Sequence, residues 1–254
     1  MNVAIITGAS SGLGAQYVET IIELYPHLDE IWLIARRKER LIRIANEHKQ
    51  ITIRPIALDL SKNSSYDELD CLLKQEKPDI KILVNNAGFE RPGTFISMEK
   101  ADILSMIDLN IKGFTMINRI CIPYMHSGSL GIMTCSISSF CPVPNQAVYS
   151  ASKIYVRFLS RALREEVKTY GINILAMCPG NMDTEMNPKG GSSQSAKVDR
   201  LPFLNMKKIT QKSIQLAKNG HAIYTPGKLY KLYRFASKIM PSALMVKIIG
   251  NSFN

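Results

Sequence analysis

The chain has 254 residues, 46% hydrophobic and 21% charged, an ordinary globular composition with enough length to bury one large α/β core. No apolar run reaches the roughly 20 residues of a membrane-spanning helix, and Met1-Asn2 leads into a strand-like stretch with no basic leader. Neither a membrane span nor a secretory signal is expected, and the cytoplasm is the default location. Among five cysteines (Cys71, Cys121, Cys135, Cys141, Cys178) there is no CxxC pair, and the four histidines form no HExxH. Reduced thiols and no metal are expected.

The net charge of +11 is lopsided: residues 1–188 carry 20 basic and 20 acidic side chains, whereas residues 189–254 carry 12 basic ones against the single acid Asp199. A solubilising surface explains this most simply. An anionic substrate or an acidic membrane surface would also suit it, and no nucleic-acid-binding motif accompanies the charge.

Taken in order, Asn2–Thr7 (NVAIIT) predicts a strand, followed by Gly8-Ala9-Ser10-Ser11-Gly12-Leu13-Gly14 and a helix over Ala15–Tyr25. A strand, a glycine-rich turn and a helix start together make a diphosphate cradle, because glycine permits close backbone approach while the free helix N–H groups face the anion. Glu30–Ala35 predicts a second strand, and Arg36-Arg37-Lys38-Glu39-Arg40 follows it. In a dinucleotide fold an acid at this strand end would bond the ribose 2′-hydroxyl, whereas an arginine accommodates a 2′-phosphate. Cations are unfavourable at a helix N-terminus, and NADP(H) supplies a reason for this cluster.

Further strands are expected at Ile51–Leu58, Ile80–Asn85, Leu130–Cys135, Ile172–Cys178 and Ala222–Thr225, with helices over Tyr66–Gln75, Lys100–His126, Tyr149–Tyr170 and Asn205–Lys218. This alternation implies a doubly wound, mostly parallel seven-stranded sheet, with ligands bound at the strand C-terminal ends. Asp59-Leu60, Asn85-Asn86-Ala87-Gly88, Ser136 and Pro179-Gly180 all fall at such ends. In the Tyr149 helix, Phe158, Leu159, Ala162 and Leu163 read as the apolar face, and Arg157, Arg161 and Arg164 as solvated. Pro188–Phe203 (PKGGSSQSAKVDRLPF) reads as a mobile lid, within a span of 186–205. No linker divides residues 1–254, so one domain is expected, ending in a basic, apolar extension over residues 228–254.

Tyr149 and Lys153 lie four residues apart and share one helix face. A phenol is a poor acid near neutrality, but a fixed ammonium favours the phenolate and is expected to draw its pKa down. Taken alone, the pair equally fits an ordinary surface helix.

Jointly, the TGxxxGxG turn, Asp59-Leu60, Asn85–Gly88, Asn110, Ser136, Tyr149-xxx-Lys153 and Pro179-Gly180 with Thr184 resemble the short-chain dehydrogenase/reductase family, from Asn2 to about Thr225. The resemblance implies a Rossmann-type fold and NADP(H) as cofactor. It makes Tyr149 the general acid or base, with Ser136 holding the substrate oxygen. Lys153 would bind the nicotinamide ribose and tune the phenol, and Asn110 would hold a relay water. Gly8, Ser10, Ser11, Gly12, Leu13 and Gly14 would line the diphosphate and Arg36 the 2′-phosphate. Asp59 and Leu60 would meet the adenine, Asn86, Ala87 and Gly88 the adenosine side, and Pro179, Gly180 and Thr184 the nicotinamide end. Cys135 replaces a serine found in many members. The extension after Gly227 points to a homodimer, or to a tail over the pocket, as in members acting on steroids and bile acids.

The expected substrate is a bulky hydrophobic ketone or alcohol near Phe89, Val143, Met182, Met186 and Phe203, with an acidic handle suiting the basic tail. A 3-oxoacyl chain or a small carbonyl is the alternative. Two further readings are a cofactor-binding regulator without turnover, and a peripheral membrane protein with Leu229, Leu232, Tyr233 and Phe235 facing lipid.

Overall fold

A computed structural model describes residues 1–189 and 201–250. The central feature is a seven-stranded sheet in the order β3-β2-β1-β4-β5-β6-β7, made of β1 (Asn2–Thr7), β2 (Glu30–Ala35), β3 (Thr52–Ala57), β4 (Asp79–Asn85), β5 (Leu130–Thr134), β6 (Asn173–Met177) and β7 (Ile223–Tyr224). Every pairing is parallel, so the expected mostly parallel sheet is wholly so.

Both faces are covered by helices, which is why the strands read as nearly unbroken apolar runs. In β1 the side chains alternate between two cores: Val3 and Ile5 join Trp32, Leu69, Ile117 and Val156 on one side, while Ala4 and Ile6 join Tyr17, Ile21, Leu41 and Ile214 on the other. The second face is built by α1 (Gly12–Leu24), α2 (Lys38–Glu47) and, later in the chain, Met206–Lys218. The first face is built by α3 (Asn63–Glu76), α4 (Lys100–Ile107), α5 (Phe114–Cys121) and α6 (Ala147–Val167). With Met206–Lys218 as α7, the hydroxyl pairs Tyr17–Ser213 at 2.8 Å and Thr20–Thr210 at 2.7 Å satisfy the buried polar atoms between α1 and α7.

Three expectations need correction. The helix expected over Lys100–His126 is not uniform: a π-helical turn at Asp108–Gly113 separates α4 from α5, and a 3₁₀ turn begins at Ile122. Gly113, at the end of this turn, packs close to the chain after β3: a side chain there would begin 2.5 Å from the Leu60 carbonyl oxygen. In α6 the buried face runs through Lys153, Val156, Ser160, Arg164 and Val167. Phe158 is instead 63% exposed. Arg164 is buried and donates to the carbonyls of Ile174 and Gly220 at 3.1 and 2.7 Å. A guanidinium with buried carbonyl partners is tolerated inside. Arg157 is half-buried, bonded to the Ser139 carbonyl at 2.9 Å.

The C-terminal extension forms α8 (Lys228–Ile239) and, beyond Pro241, α9 (Ser242–Gly250). Residues 190–200, most of the expected lid, lie outside the described residues. No helix among the described residues is long and apolar enough to cross a membrane.

Candidate active site

The strand order reverses direction at β1 and β4, and a crevice opens there beyond the strand C-termini. Gly8 and Gly12 adopt positive φ of 65° and 52°, and a side chain on Gly14 would begin 2.2 Å from the Gly8 carbonyl oxygen. The turn folds only with glycine at these places. It delivers the N-terminus of α1, whose first turn holds no acidic residue, as a concave bed for an anion. Thr7 joins this turn to the next: its hydroxyl accepts the Asn86 and Ala87 amides, each at 2.9 Å, and donates to Asn85 Oδ1 at 3.3 Å.

At the end of β2, Arg36 is exposed and its charge acts on Asp59. Burial works against Asp59, but hydrogen bonds from Ser61 and the nearby cations outweigh it and hold the carboxyl below its ordinary value. It is Arg37, not Arg36, that reaches the glycine-rich turn: Nη2 lies 3.0 Å from Ser10 Oγ and 2.8 Å from Ser11 Oγ. Leu60 is buried, and its carbonyl accepts the Tyr66 hydroxyl at 2.7 Å.

Asn110 sits in the π turn, 1% exposed. Its amide grips the Phe89 backbone on both sides, Nδ2 to O at 2.8 Å and Phe89 N to Oδ1 at 3.0 Å, and reaches Ser152 Oγ at 3.3 Å. These bonds shape the chain after Gly88. Lys153 lies against that chain too, since a side chain at Gly88 would begin 3.2 Å from its Nζ.

Lys153 Nζ donates to the Thr134 carbonyl at 3.1 Å and stands 5.7 Å from the centroid of the Tyr149 ring. Desolvation lowers its pKa, opposed by Cys135 and Glu90. Tyr149 stands beside Ser136, whose Oγ accepts the Ser138 amide at 3.1 Å. Contrary to expectation, the phenol pKa is raised: desolvation dominates, the Glu90 carboxylate adds to it, and the neighbouring Ser136 hydroxyl offsets only part. Cys135 and Cys178 pack side by side behind Ser136, and burial pushes the Cys135 thiol up.

Above Tyr149 and Ser136 lies a cavity of about 490 Å³ walled by Val143, Met182, Met186, Leu232, Tyr233 and Ile248, among others. Phe89 and Phe203, expected here, are not part of its wall. Thr184 and Gly180 are. The extension contributes directly: Leu229, Leu232 and Tyr233 of α8 and Met245, Ile248 and Ile249 of α9 line the cavity. Tyr230 anchors α8, packing its ring against Gly180 and accepting the Asn181 amide at 3.0 Å.

Two residues escaped the sequence reading. Tyr230 carries no local signal, because its partner is fifty residues away. Glu90 lines the cavity and is pushed up to about 7, mainly by burial and only partly opposed by Lys153. A lone acid two residues after the Asn86–Gly88 turn was the available clue. Among the described residues no cluster suited to a metal is present.

The chain matches the short chain dehydrogenase family over residues 2–195 and belongs to that family of oxidoreductases. A relative, the very-long-chain 3-oxoacyl-CoA reductase of Mus musculus, is 30% identical over 257 residues, covering 97% of this chain and 78% of the relative. An uncharacterized oxidoreductase of Staphylococcus aureus is 29% identical over 199 residues, 78% of this chain and 85% of the relative. Among solved structures, a short-chain dehydrogenase from Sphingobium yanoikuyae in complex with NADPH aligns with a TM-score of 0.77 at 23% identity, covering 96% of this chain and 97% of that one.

Proposed function

We propose that the protein is an NADP(H)-dependent oxidoreductase that interconverts a bulky hydrophobic ketone and its secondary alcohol. The observation that carries this reading is Ser136 and Tyr149 side by side at the base of a largely apolar cavity, with Lys153 buried behind them. The glycine-rich turn fits a diphosphate, and Arg37, which reaches Ser10 and Ser11, suits a 2′-phosphate better than Arg36. The NADPH held by the Sphingobium relative is in keeping with this. The cofactor, when bound, supplies or accepts the hydride.

The chain's own part is to manage charge on the substrate oxygen. Because Ser136 Oγ already accepts the Ser138 amide, its own proton is available for donation to that oxygen. Tyr149, with its raised pKa, is protonated near neutrality and gives its proton as the alkoxide forms. Lys153 holds one carbonyl and keeps two further N–H donors for a ribose and for the phenolate left behind. Asn110, through Phe89, sets the backbone that faces these groups. Glu90 makes the inner cavity unfavourable for a carboxylate, so an acidic handle would sit at the basic outer rim.

A steroid- or bile-acid-like ketone suits the volume and apolar lining of the cavity. A 3-oxoacyl thioester is the second reading, favoured by the name of the mouse relative. NADPH consumption against keto-steroids, keto-bile acids and 3-oxoacyl thioesters separates them. Tyr149→Phe is expected to abolish turnover with NADPH affinity nearly unchanged, and Ser136→Ala to lower kcat by about 10²–10³. Substantial activity in Tyr149→Phe would sink the assignment. We further read the chain as one cytoplasmic domain acting as a homodimer, with all five cysteines free.

A further inference from the structure

Beside the glycine-rich turn, the chain supplies its own anion. We infer that the Glu185 carboxylate occupies, between Arg37 and Arg40, the place that a 2′-phosphate takes, and so limits the preference for NADP(H) over NAD(H). This rests on the NADP(H) reading above.

Glu185 Oε2 lies 2.8 Å from Arg37 Nη1, and Oε1 pairs with Arg40 Nη1. The same Arg37 guanidinium holds Ser10 and Ser11 through its other edge. Both oxygens of the carboxylate and the guanidinium nearest the turn are therefore committed to one another. The two arginines hold the Glu185 carboxyl below its ordinary value, so it is anionic throughout the neutral range. Its position is set by Thr184, whose side chain stands 3.2 Å from where one at Gly12 would begin. That contact lays residues 184–185 over the turn.

Carboxylates and phosphates present guanidinium groups with similar paired acceptors. A 2′-phosphate brings about −1.5 to −2 charges at neutral pH. Two arginines cannot neutralise both it and Glu185, so the incoming phosphate either displaces the carboxylate or suffers its repulsion. Both routes subtract from 2′-phosphate affinity and leave a cofactor with a 2′-hydroxyl untouched. The side chains are 42%, 37% and 55% exposed for Arg37, Arg40 and Glu185. Solvent and salt screen the effect, which keeps it modest.

The test compares adenosine 2′,5′-bisphosphate with adenosine 5′-monophosphate by titration calorimetry, in wild type and Glu185→Gln, at low and high salt. The expected result is about three- to tenfold tighter binding of the bisphosphate by Glu185→Gln at low salt. The gain should shrink at high salt, with the monophosphate unchanged. Unchanged or weaker bisphosphate binding, in a wild type that still prefers the bisphosphate, overturns the inference and leaves the NADP(H) reading standing. Equal tightening for both ligands also overturns it, because Glu185 would then oppose anions generally. A bisphosphate preference absent from both the wild type and Glu185→Gln removes the NADP(H) reading, and this inference with it.

Discussion

Tyr149 and Lys153 share one face of α6, yet burial governs the ionisation of each. Sequence spacing identifies the pair, but a neighbouring ammonium was expected to lower the phenol, and the structure has desolvation and Glu90 raising it. Glu90 shows the same competition with a testable sign. Its carboxyl rises from the ordinary 4.5 to about 7, so the folded protein holds this proton more tightly than the unfolded chain does. The resulting stabilisation is fully present below about pH 4.5 and is lost as pH rises through 7. Glu90→Gln, which cannot ionise, should become more stable relative to wild type between pH 5 and pH 8, by about 1–3 kcal/mol. Urea unfolding at the two pH values measures the difference. An unchanged difference would mean that Glu90 is solvated.

At the scale of elements, strands β1 and β2 match their sequence-based bounds, because both faces of a parallel sheet demand unbroken apolar runs. The helices were harder. Periodicity placed Phe158 in the apolar face of α6, but that helix presents a serine-lined face, Ser150, Ser152 and Ser160, to the interior. Small hydroxyls give no hydrophobic signal, and they find backbone carbonyls once packed: Ser160 Oγ donates to the Val156 carbonyl at 2.6 Å. The fit of α8 onto the site is equally illegible, since it rests on Gly180 and Tyr230 meeting across the fold. A side chain at Gly180 would begin 2.0 Å from the Tyr230 ring. Gly180→Ala should therefore displace α8 at about 1–3 kcal/mol and lower the melting temperature by roughly 2–10 °C. Differential scanning calorimetry reads this, and an unaltered melting temperature would show that α8 is not seated through Tyr230.

At the scale of the whole molecule, large apolar side chains remain exposed on several elements. One such surface belongs to α4 and α6, where Leu104 is 61% and Phe158 63% exposed. As a homodimer face it would bury these side chains, so Phe158→Glu should convert a dimer to a monomer in light scattering, with cofactor affinity retained. A monomeric wild type would remove the dimer reading. Another lies on α8, where Phe235 and Ile239 are exposed near Lys231 and Lys238, while Leu229, Leu232 and Tyr233 line the cavity. The stripe read as lipid-facing is thus shared between the surface and the substrate site.

The sequence by itself determined the parallel α/β architecture, the glycine-rich anion bed and the residues grouped at the strand ends. Each of these is a local pattern: alternation, positive-φ glycine, or spacing along one helix. Only the tertiary structure decided that Arg37 rather than Arg36 meets the turn, that Glu185 answers it, and that Glu90 and Tyr230 belong to the site. It also decided the direction in which Tyr149 shifts. These depend on which distant groups meet and on how much water is excluded where they do, and neither quantity is written in the spacing of residues along the chain.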